Sequence, residues 1–247
     1  LGALVYGNDY RHPVVLAKDM ATLDVLSEGR MEFGIGAGWM QSDYDKAGME
    51  YDRPGIRIER MQESLAIIRG LFSDGPVNFD GEHYQITDME GWPKPVQSPP
   101  PIHIGGGGKR MLGIAAQEAD IVGITANLRA GVVGRDATND VTPEKFDEKV
   151  DWIRTAAGDR IDDIELSVLV FSTQVTDDKE SAVNGTAEMF GFTTDQIEQT
   201  PMLLIGSSEE IADSLRERRE RWGISYIIVQ DTAIDTLTPV VAELTGT

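Results

Sequence analysis

The sequence predicts an α/β protein built on one parallel sheet, and three observations carry that expectation. Short apolar runs alternate with amphipathic helical patterns along almost the whole chain. Strand, helix and strand in succession enforce parallel pairing with right-handed crossovers. Six principal strands can be counted, opening near Leu1, Met31, Ile102, Ile121, Ile164 and Ile224. Finally, four glycines in a row, Gly105, Gly106, Gly107 and Gly108, stand where a strand hands over to a helix. An open doubly wound sheet and a closed barrel both satisfy this pattern. A (β/α)8 barrel needs two further strands, and Leu1 opens directly into a strand, so the barrel reading expects the first two to be missing.

Each element has its own justification. Residues 1–7 (LGALVYG) read as a strand. Pro13 is well tolerated in a first helical turn, and Val14, Ala17, Ala21, Leu23 and Val25 carry a helix to Leu26. Residues 31–38 (MEFGIGAG) are the next strand. Over 56–72, Ile58, Met61, Leu65, Ile68 and Leu71 share one helical face. An Asp-Gly turn between alternating arms predicts a hairpin over 78–86. After the strand at 102–104, Met111, Leu112, Ala115, Ala116 and Ala119 recur at helical spacing, and a strand follows from Ile121.

The second half repeats the rhythm, with a helix over 143–157, a strand over 164–175 and a helix over 178–190. A short strand over 201–206 precedes a helix over 207–222, capped by Ser207 or Ser208 with Glu209 and Glu210 in its first turn. A strand over 224–230 and a helix around 239–244 close the series. Residues 128–142 show no period and are expected to form a mobile loop. No composition break marks a linker, so a single domain over 1–247 is expected.

Composition excludes several functions. With 22 basic against 42 acidic residues, the net charge of −20 argues against nucleic acid or anionic membranes as partners. No cysteine is present, so disulfides, zinc-thiolate sites and cysteine nucleophiles are out. His12, His83 and His103 lie far apart and make no HExxH pair, so no metal site is expected. No run approaches the roughly 18 apolar residues of a membrane span, and a cytoplasmic protein is the expectation.

An anionic ligand would have to be held by local donors against this global charge. The four glycines supply such donors, because bare N–H groups and the helix dipole seat an anion such as phosphate. Glycine also permits close approach and any positive-φ geometry. Lys109 and Arg110 add charge at the helix start. Neither dinucleotide nor P-loop motif is complete: GIGAGW lacks its third glycine, and GGGGKR lacks the earlier glycine and the following Ser or Thr. Arg57 and Arg60 are expected to pair with Glu59 or Glu63, Trp39 to wall a pocket, His103 to be packed and His83 exposed. His12, before the helix-starting Pro13, has two readings, substrate contact and helix cap.

Three segments together resemble the bacterial luciferase-like superfamily of flavin and deazaflavin oxidoreductases. They are NDYRHPVVLAKDMATLDVLSEGRMEFGIGAGW, the helix GIRIERMQESLAIIRGLF with its GEHY hairpin, and PPIHIGGGGKRMLGIAAQEADIVGI. The later GSSEEIADSLRERRERWGISYIIV is similar to the family's final helix and strand. The resemblance covers nearly the whole chain and is nearest to members that use coenzyme F-420, an 8-hydroxy-5-deazaflavin.

That resemblance implies a (β/α)8 TIM barrel lacking its first two strands, with the cofactor at the C-terminal ends of the strands. It implies a phosphate on the backbone of Gly105, Gly106, Gly107 and Gly108. The ring would rest against Leu4 and Val5, often joined by a cis bond in the family, beside Ala37, Gly38 and Thr125. His12 is the catalytic candidate at the barrel top. A hydride transfer to or from a small organic substrate, in a homodimer, is the implied activity. An FMN-dependent monooxygenase and a non-catalytic flavin-binding relative are the alternatives. Leu128 stands where sugar-phosphate-oxidising members carry a lysine, which points to a more apolar substrate.

Overall fold

The computed structural model describes residues 1–132, 137 and 139–246. The first half runs through β1 (Tyr6–Gly7), α1 (Pro13–Leu26), β2 (Phe33–Gly36), α2 (Gln41–Ala47) and α3 (Pro54–Phe72). The hairpin β3 (Val77–Asp80) and β4 (Gln85–Met89) follows, then β5 (Ile102–Gly106), α4 (Lys109–Glu118) and β6 (Ile121–Ile124). The second half comprises α5 (Pro143–Ala157), β7 (Glu165–Leu169), β8 (Ser172–Val175), α6 (Lys179–Phe190) and α7 (Thr194–Gln199). It ends with β9 (Leu203–Gly206), α8 (Ser208–Trp222), β10 (Ile224–Ile228) and α9 (Ile234–Leu244).

The six strands marked in the sequence form one parallel sheet in the order β1-β2-β5-β6-β7-β10. Its two faces differ sharply. Phe33, Ile35, Ile102, Ile104, Val122, Ile124, Leu166 and Val168 are buried in the main core, against helical residues such as Leu16, Met20, Leu65, Leu112 and Phe146. Burial of each such side chain stabilises the fold by about 1.5–3 kcal/mol. Because side chains alternate along a strand and cross-strand partners share a face, the residues between them point the other way. Those are Gly34, Gly36, His103, Gly105, Gly123, Ser167 and Tyr226. Ile121, paired with His103, shares that face; apart from it, small and polar groups line the inner side, where barrels usually place bulky branched residues.

The inner face is held by a few polar contacts. His103 Nε2 and Ser167 Oγ are 3.1 Å apart. The Tyr226 hydroxyl, pushed up to about 12 by burial and by Glu32, donates to Glu32 Oε2 at 2.9 Å. That bond joins β10 to the approach of β2, so the sheet curls toward closure. Among the described residues, β1 and β10 each pair on one side only.

Several boundaries differ from expectation for identifiable reasons. The strand expected over 1–7 is confined to Tyr6–Gly7, with an isolated bridge from Gly2 to Glu32. The intervening Ala3 to Val5 backbone lies against β2. A Cβ on Gly34 would overlap the Ala3 carbonyl oxygen, and one on Gly36 would come within 2.7 Å of Val5. The Leu4–Val5 peptide bond is cis. The strand expected over 164–175 breaks after β7. β8 leaves to pair with β9 in a separate two-stranded sheet, covered by a small core of Val183, Ala187, Ile197 and Leu203.

Ser207, not Ser208, caps α8, in a reciprocal capping box with Glu210. The last helix begins at Ile234 and contains Pro239 rather than starting at it. The short helices α2 and α7 were not expected, although Thr193 and Gln196 form a legible capping box at the start of α7. The β3–β4 hairpin is pinned by Glu63, which accepts from the backbone N–H groups of Glu82, His83 and Tyr84 at 2.8, 2.9 and 3.0 Å. Burial alone would raise the Glu63 pKa, but the three donors outweigh it and hold the carboxyl below its usual range. Of the loop expected over 128–142, residues 133–136 and 138 lie outside the described residues.

Burial pushes the His103 imidazole below its usual 6.5, with Glu32 opposing. The folded protein thus keeps His103 neutral, while the unfolded chain takes up its proton near pH 6.5. Below that pH the unfolded state binds more protons, so the contribution is full above pH 6.5 and is lost as pH falls. The Tm is expected to decline from pH 6.5 toward the carboxylate range, with a shallower slope in His103→Gln. Parallel slopes in the two proteins would show that His103 does not carry the effect.

Candidate active site

A cleft of about 910 Å³ opens at the C-terminal ends of β1, β2, β5 and β6. Residues 53–59 at the start of α3 form part of its wall, together with four short segments at strand ends. Leu4 and Val5 form one, and Ala37, Gly38 and Trp39 after β2 form the second. The third is Gly105, Gly106, Gly107 and Gly108, and the fourth begins at Thr125 after β6. The structure therefore gathers every cofactor-contact residue expected from the sequence into one cavity, with Trp39 in its wall. His12 is not among the lining residues. It caps α1 by accepting from the Val14 N–H at 3.3 Å and meets the Tyr84 ring edge-on at 5.4 Å.

The wall after β2 is fixed from behind. Gly38 has φ +74, and a Cβ there would overlap the Tyr44 hydroxyl, so no other residue fits. Tyr44 is buried and donates to Asp9 at 3.0 Å, and burial and Asp9 raise its pKa far above the usual value. Arg57 is also buried; it stacks over Tyr51 at 4.0 Å and donates to the Gly38 carbonyl at 3.3 Å. Tyr51 donates to the Trp39 carbonyl at 2.7 Å.

Arg60 pairs with Asp9 at 2.9 Å and with Asp52. The expectation that Glu59 or Glu63 would pair with these arginines is therefore corrected. Glu59 is taken by Arg110 at 3.0 Å, and Glu63 by the hairpin backbone.

The glycine wall also differs from a flexible turn. None of the four has positive φ. Gly105 and Gly106 are still strand, and Gly108, with φ −102, is the N-cap of α4. Gly107 is glycine because a Cβ would overlap the Ala126 and Asn127 backbone. At Gly105 the added atom would find nothing nearer than 3.9 Å, leaving that position open. No side chain caps α4, so its first-turn N–H groups are available at the cleft.

Lys149 positions the wall after β6. It is fully buried, and its ammonium donates to the Thr125 carbonyl at 2.8 Å, the Asp140 carbonyl at 2.7 Å and Asp140 Oδ2 at 2.6 Å. Burial lowers its pKa, with Asp140 opposing. The same Asp140 oxygen accepts from Asn127 N–H at 2.7 Å. Sequence reasoning missed this pair, although Phe146, Val150 and Ile153 place Lys149 on the apolar face of its helix. The signal was a lysine inside an apolar stripe.

Electrostatically the cleft inverts the rest of the chain. Its lining holds five cations, Arg53, Arg57, Lys109, Arg110 and Arg129, against two carboxylates, Asp43 and Glu59. Such a cavity favours an anion. Among the described residues, no group of three or more histidines and carboxylates is placed to hold a metal ion. No helix among them is long and apolar enough to cross a membrane.

These features define the class: a β/α barrel protein whose ligand cleft lies at the C-terminal ends of its strands. Residues 2–226 match the model of the luciferase-like monooxygenase family, and the chain belongs to that family. It is 32% identical over 121 residues to the F420-dependent glucose-6-phosphate dehydrogenase of Amycolatopsis mediterranei, covering 49% of this chain and 36% of that protein. It is 28% identical over 232 residues to the 5,10-methylenetetrahydromethanopterin reductase of Archaeoglobus fulgidus, covering 90% of this chain and 64% of that protein. The chain thus spans less than two thirds of these curated relatives. The solved coenzyme F420-dependent tetrahydromethanopterin reductase of Methanopyrus kandleri superposes with a TM-score of 0.76, over 98% of this chain and 81% of that one. At 19% identity, that likeness establishes the barrel fold.

Removing the buried cation should loosen the wall it holds. Lys149→Met is expected to lower the unfolding free energy by about 3 kcal/mol, read by urea denaturation, because Asp140 loses its partner. Adding Asp140→Asn should cost much less than it does alone, since the two act as a unit. Additive losses would show that they do not.

Proposed function

We propose that the chain belongs to an oxidoreductase that transfers a hydride between a deazaflavin, coenzyme F-420, and a small organic substrate. The observation that carries this reading is the gathering of Leu4, Val5, Ala37, Gly38, Gly105, Gly106, Gly107, Gly108 and Thr125 around one cleft. The names of two similar proteins, F420-dependent enzymes, support the choice of cofactor. The residues fit the group. A planar tricycle needs a floor free of side chains, and Gly105, where an added Cβ would meet nothing nearer than 3.9 Å, offers one. A phosphate needs donors, and the uncapped start of α4 with Lys109 offers them.

When bound, the deazaflavin supplies a two-electron hydride carrier. The protein's part is to bind, orient and shield it. The N–H groups at Gly108 and Lys109 would hold the phosphate. Thr125, whose carbonyl Lys149 holds, would contact the ring through its hydroxyl. Leu4 and Val5, with Ala37 and Gly38 braced by Arg57, would pack against the ring.

The test is competitive. Fluorescence titration with the deazaflavin and with FMN, at low and moderate salt, should show tighter deazaflavin binding. Tighter FMN binding, or oxygen-dependent turnover with reduced FMN, would move the protein to the flavin monooxygenases; binding of neither would end this reading. Gly105→Val should fold normally yet weaken cofactor binding by about tenfold or more, since its side chain enters the open floor. Gly107→Ala, by contrast, should lower stability by about 1–3 kcal/mol, because the neighbouring backbone must move.

A further inference from the structure

The cleft carries more positive charge than one phosphate uses. Arg110 is neutralised by Glu59, and Lys109 stands at the start of α4 beside the glycines. Arg53 and Arg129 are both exposed and line the cleft, and neither forms an ion pair among the described residues. In a chain with nearly twice as many acids as bases, two arginines without a carboxylate on one cavity are conspicuous.

Their placement is unfavourable unless an anion joins them. Arg53 is the N-cap of α3, where the helix dipole disfavours a cation. The helices α2, α5, α6, α7, α8 and α9 each carry an acid in the first turn, whereas α1, α3 and α4 carry none, and of these three α3 and α4 open onto the cleft. The buried Arg57, one turn into α3, also lines the cleft and has an Nε without a partner among the described residues.

Arg129 is brought to the same end. Its loop is docked by the Gly131 carbonyl, which accepts from Gln41 N–H at 3.2 Å. A Cβ on Gly131 would come within 2.9 Å of the Tyr51 hydroxyl. That contact brings together the segments that carry Arg53 and Arg129, each two residues from it, and both arginines line the cleft.

We infer that Arg53 and Arg129 form an oxyanion subsite separate from the glycine seat, and that the substrate carries a carboxylate or phosphate group held there. This rests on the proposed function only in taking the cleft as the place of reaction. Guanidinium forks match planar or tetrahedral oxyanions with paired donors, so two of them select charge and shape together. The apolar substrate implied by Leu128 is replaced in this reading by one with an anionic end.

The test titrates inorganic phosphate and succinate calorimetrically into the protein alone and into protein saturated with deazaflavin. The double variant Arg53→Gln, Arg129→Gln is compared with the parent in each arm. The parent should bind one oxyanion after the cofactor has filled the glycine seat, and the variant should bind it about tenfold more weakly. Cofactor affinity should stay within about twofold, and the Tm without added anion should not fall, as both side chains are exposed and Arg53 opposes the dipole of α3. Preference for phosphate would identify an ester substrate, and preference for succinate a carboxylic acid. Equal oxyanion affinity in parent and variant would overturn the subsite. So would a parallel loss of cofactor affinity, which would assign the arginines to the cofactor instead. If no flavin binds, the proposed function fails, and the comparison of phosphate binding to the two cofactor-free proteins still decides the subsite.

Discussion

The cleft depends on how closely backbone approaches backbone on the inner side of the sheet. Ala3 to Val5 lies against Gly34 and Gly36, and the Ala126–Asn127 segment lies against Gly107. A single methyl group at Gly34 or Gly107 would part these segments, and with them the walls they form. The outer face of the same strands carries Phe33, Ile35, Ile104, Val122 and Val168, fully buried under the helices. Stability therefore comes from one face, and the other is left free to be hollow. A barrel filled on both faces would be better packed but would have no floor for a planar ligand.

Much of this was legible in the sequence because it is periodic. The strand from Ile102, expected to end at 104 and observed to reach 106, and the helix from Lys109 follow from apolar spacing, and the glycines at 34 and 36 fall on one side of a period of two. The helix over 143–157 was legible to its ends because Thr142 caps it and Pro143 opens it. Readings failed where tertiary contacts override the local pattern. Residues 164–175 read as one continuous strand, and it is pairing with different partners that separates β7 from β8. Tyr6 and Gly7 are all that remain of an expected seven-residue strand, because Ala3 to Val5 is held against β2 and not alongside it.

The site was legible in its backbone and not in its braces. Glycines announce close approach, so Gly38 and Gly105 to Gly108 could be named from the sequence. The side chains that hold those segments lie distant in the chain, and their partners cannot be paired by spacing. Arg57 reaches back to Gly38, Tyr51 to Trp39, and Lys149 to Thr125, over separations of 19, 12 and 24 residues. Each donates to a carbonyl, which any residue could supply. Only the donor leaves a trace in the sequence: a cation or phenol on an otherwise apolar face.

These braces also explain how an acidic chain can carry a basic cavity. Arg60 and Arg110 are paired with carboxylates, so they contribute geometry and little field. Lys149 is turned wholly inward onto Asp140 and two carbonyls. Arg53, Lys109 and Arg129 form no ion pair among the described residues, so the charge they bring to the cleft is not neutralised there. Against the field of a −20 chain, such local charges act mainly within a Debye length of about 8–10 Å. An anion would therefore be repelled by the surface at large and would feel these cations only close to the mouth. Cations in open water would add little to affinity; Arg53 and Lys109 stand at the N-termini of α3 and α4, where the helix dipole and the first-turn N–H groups add to their field.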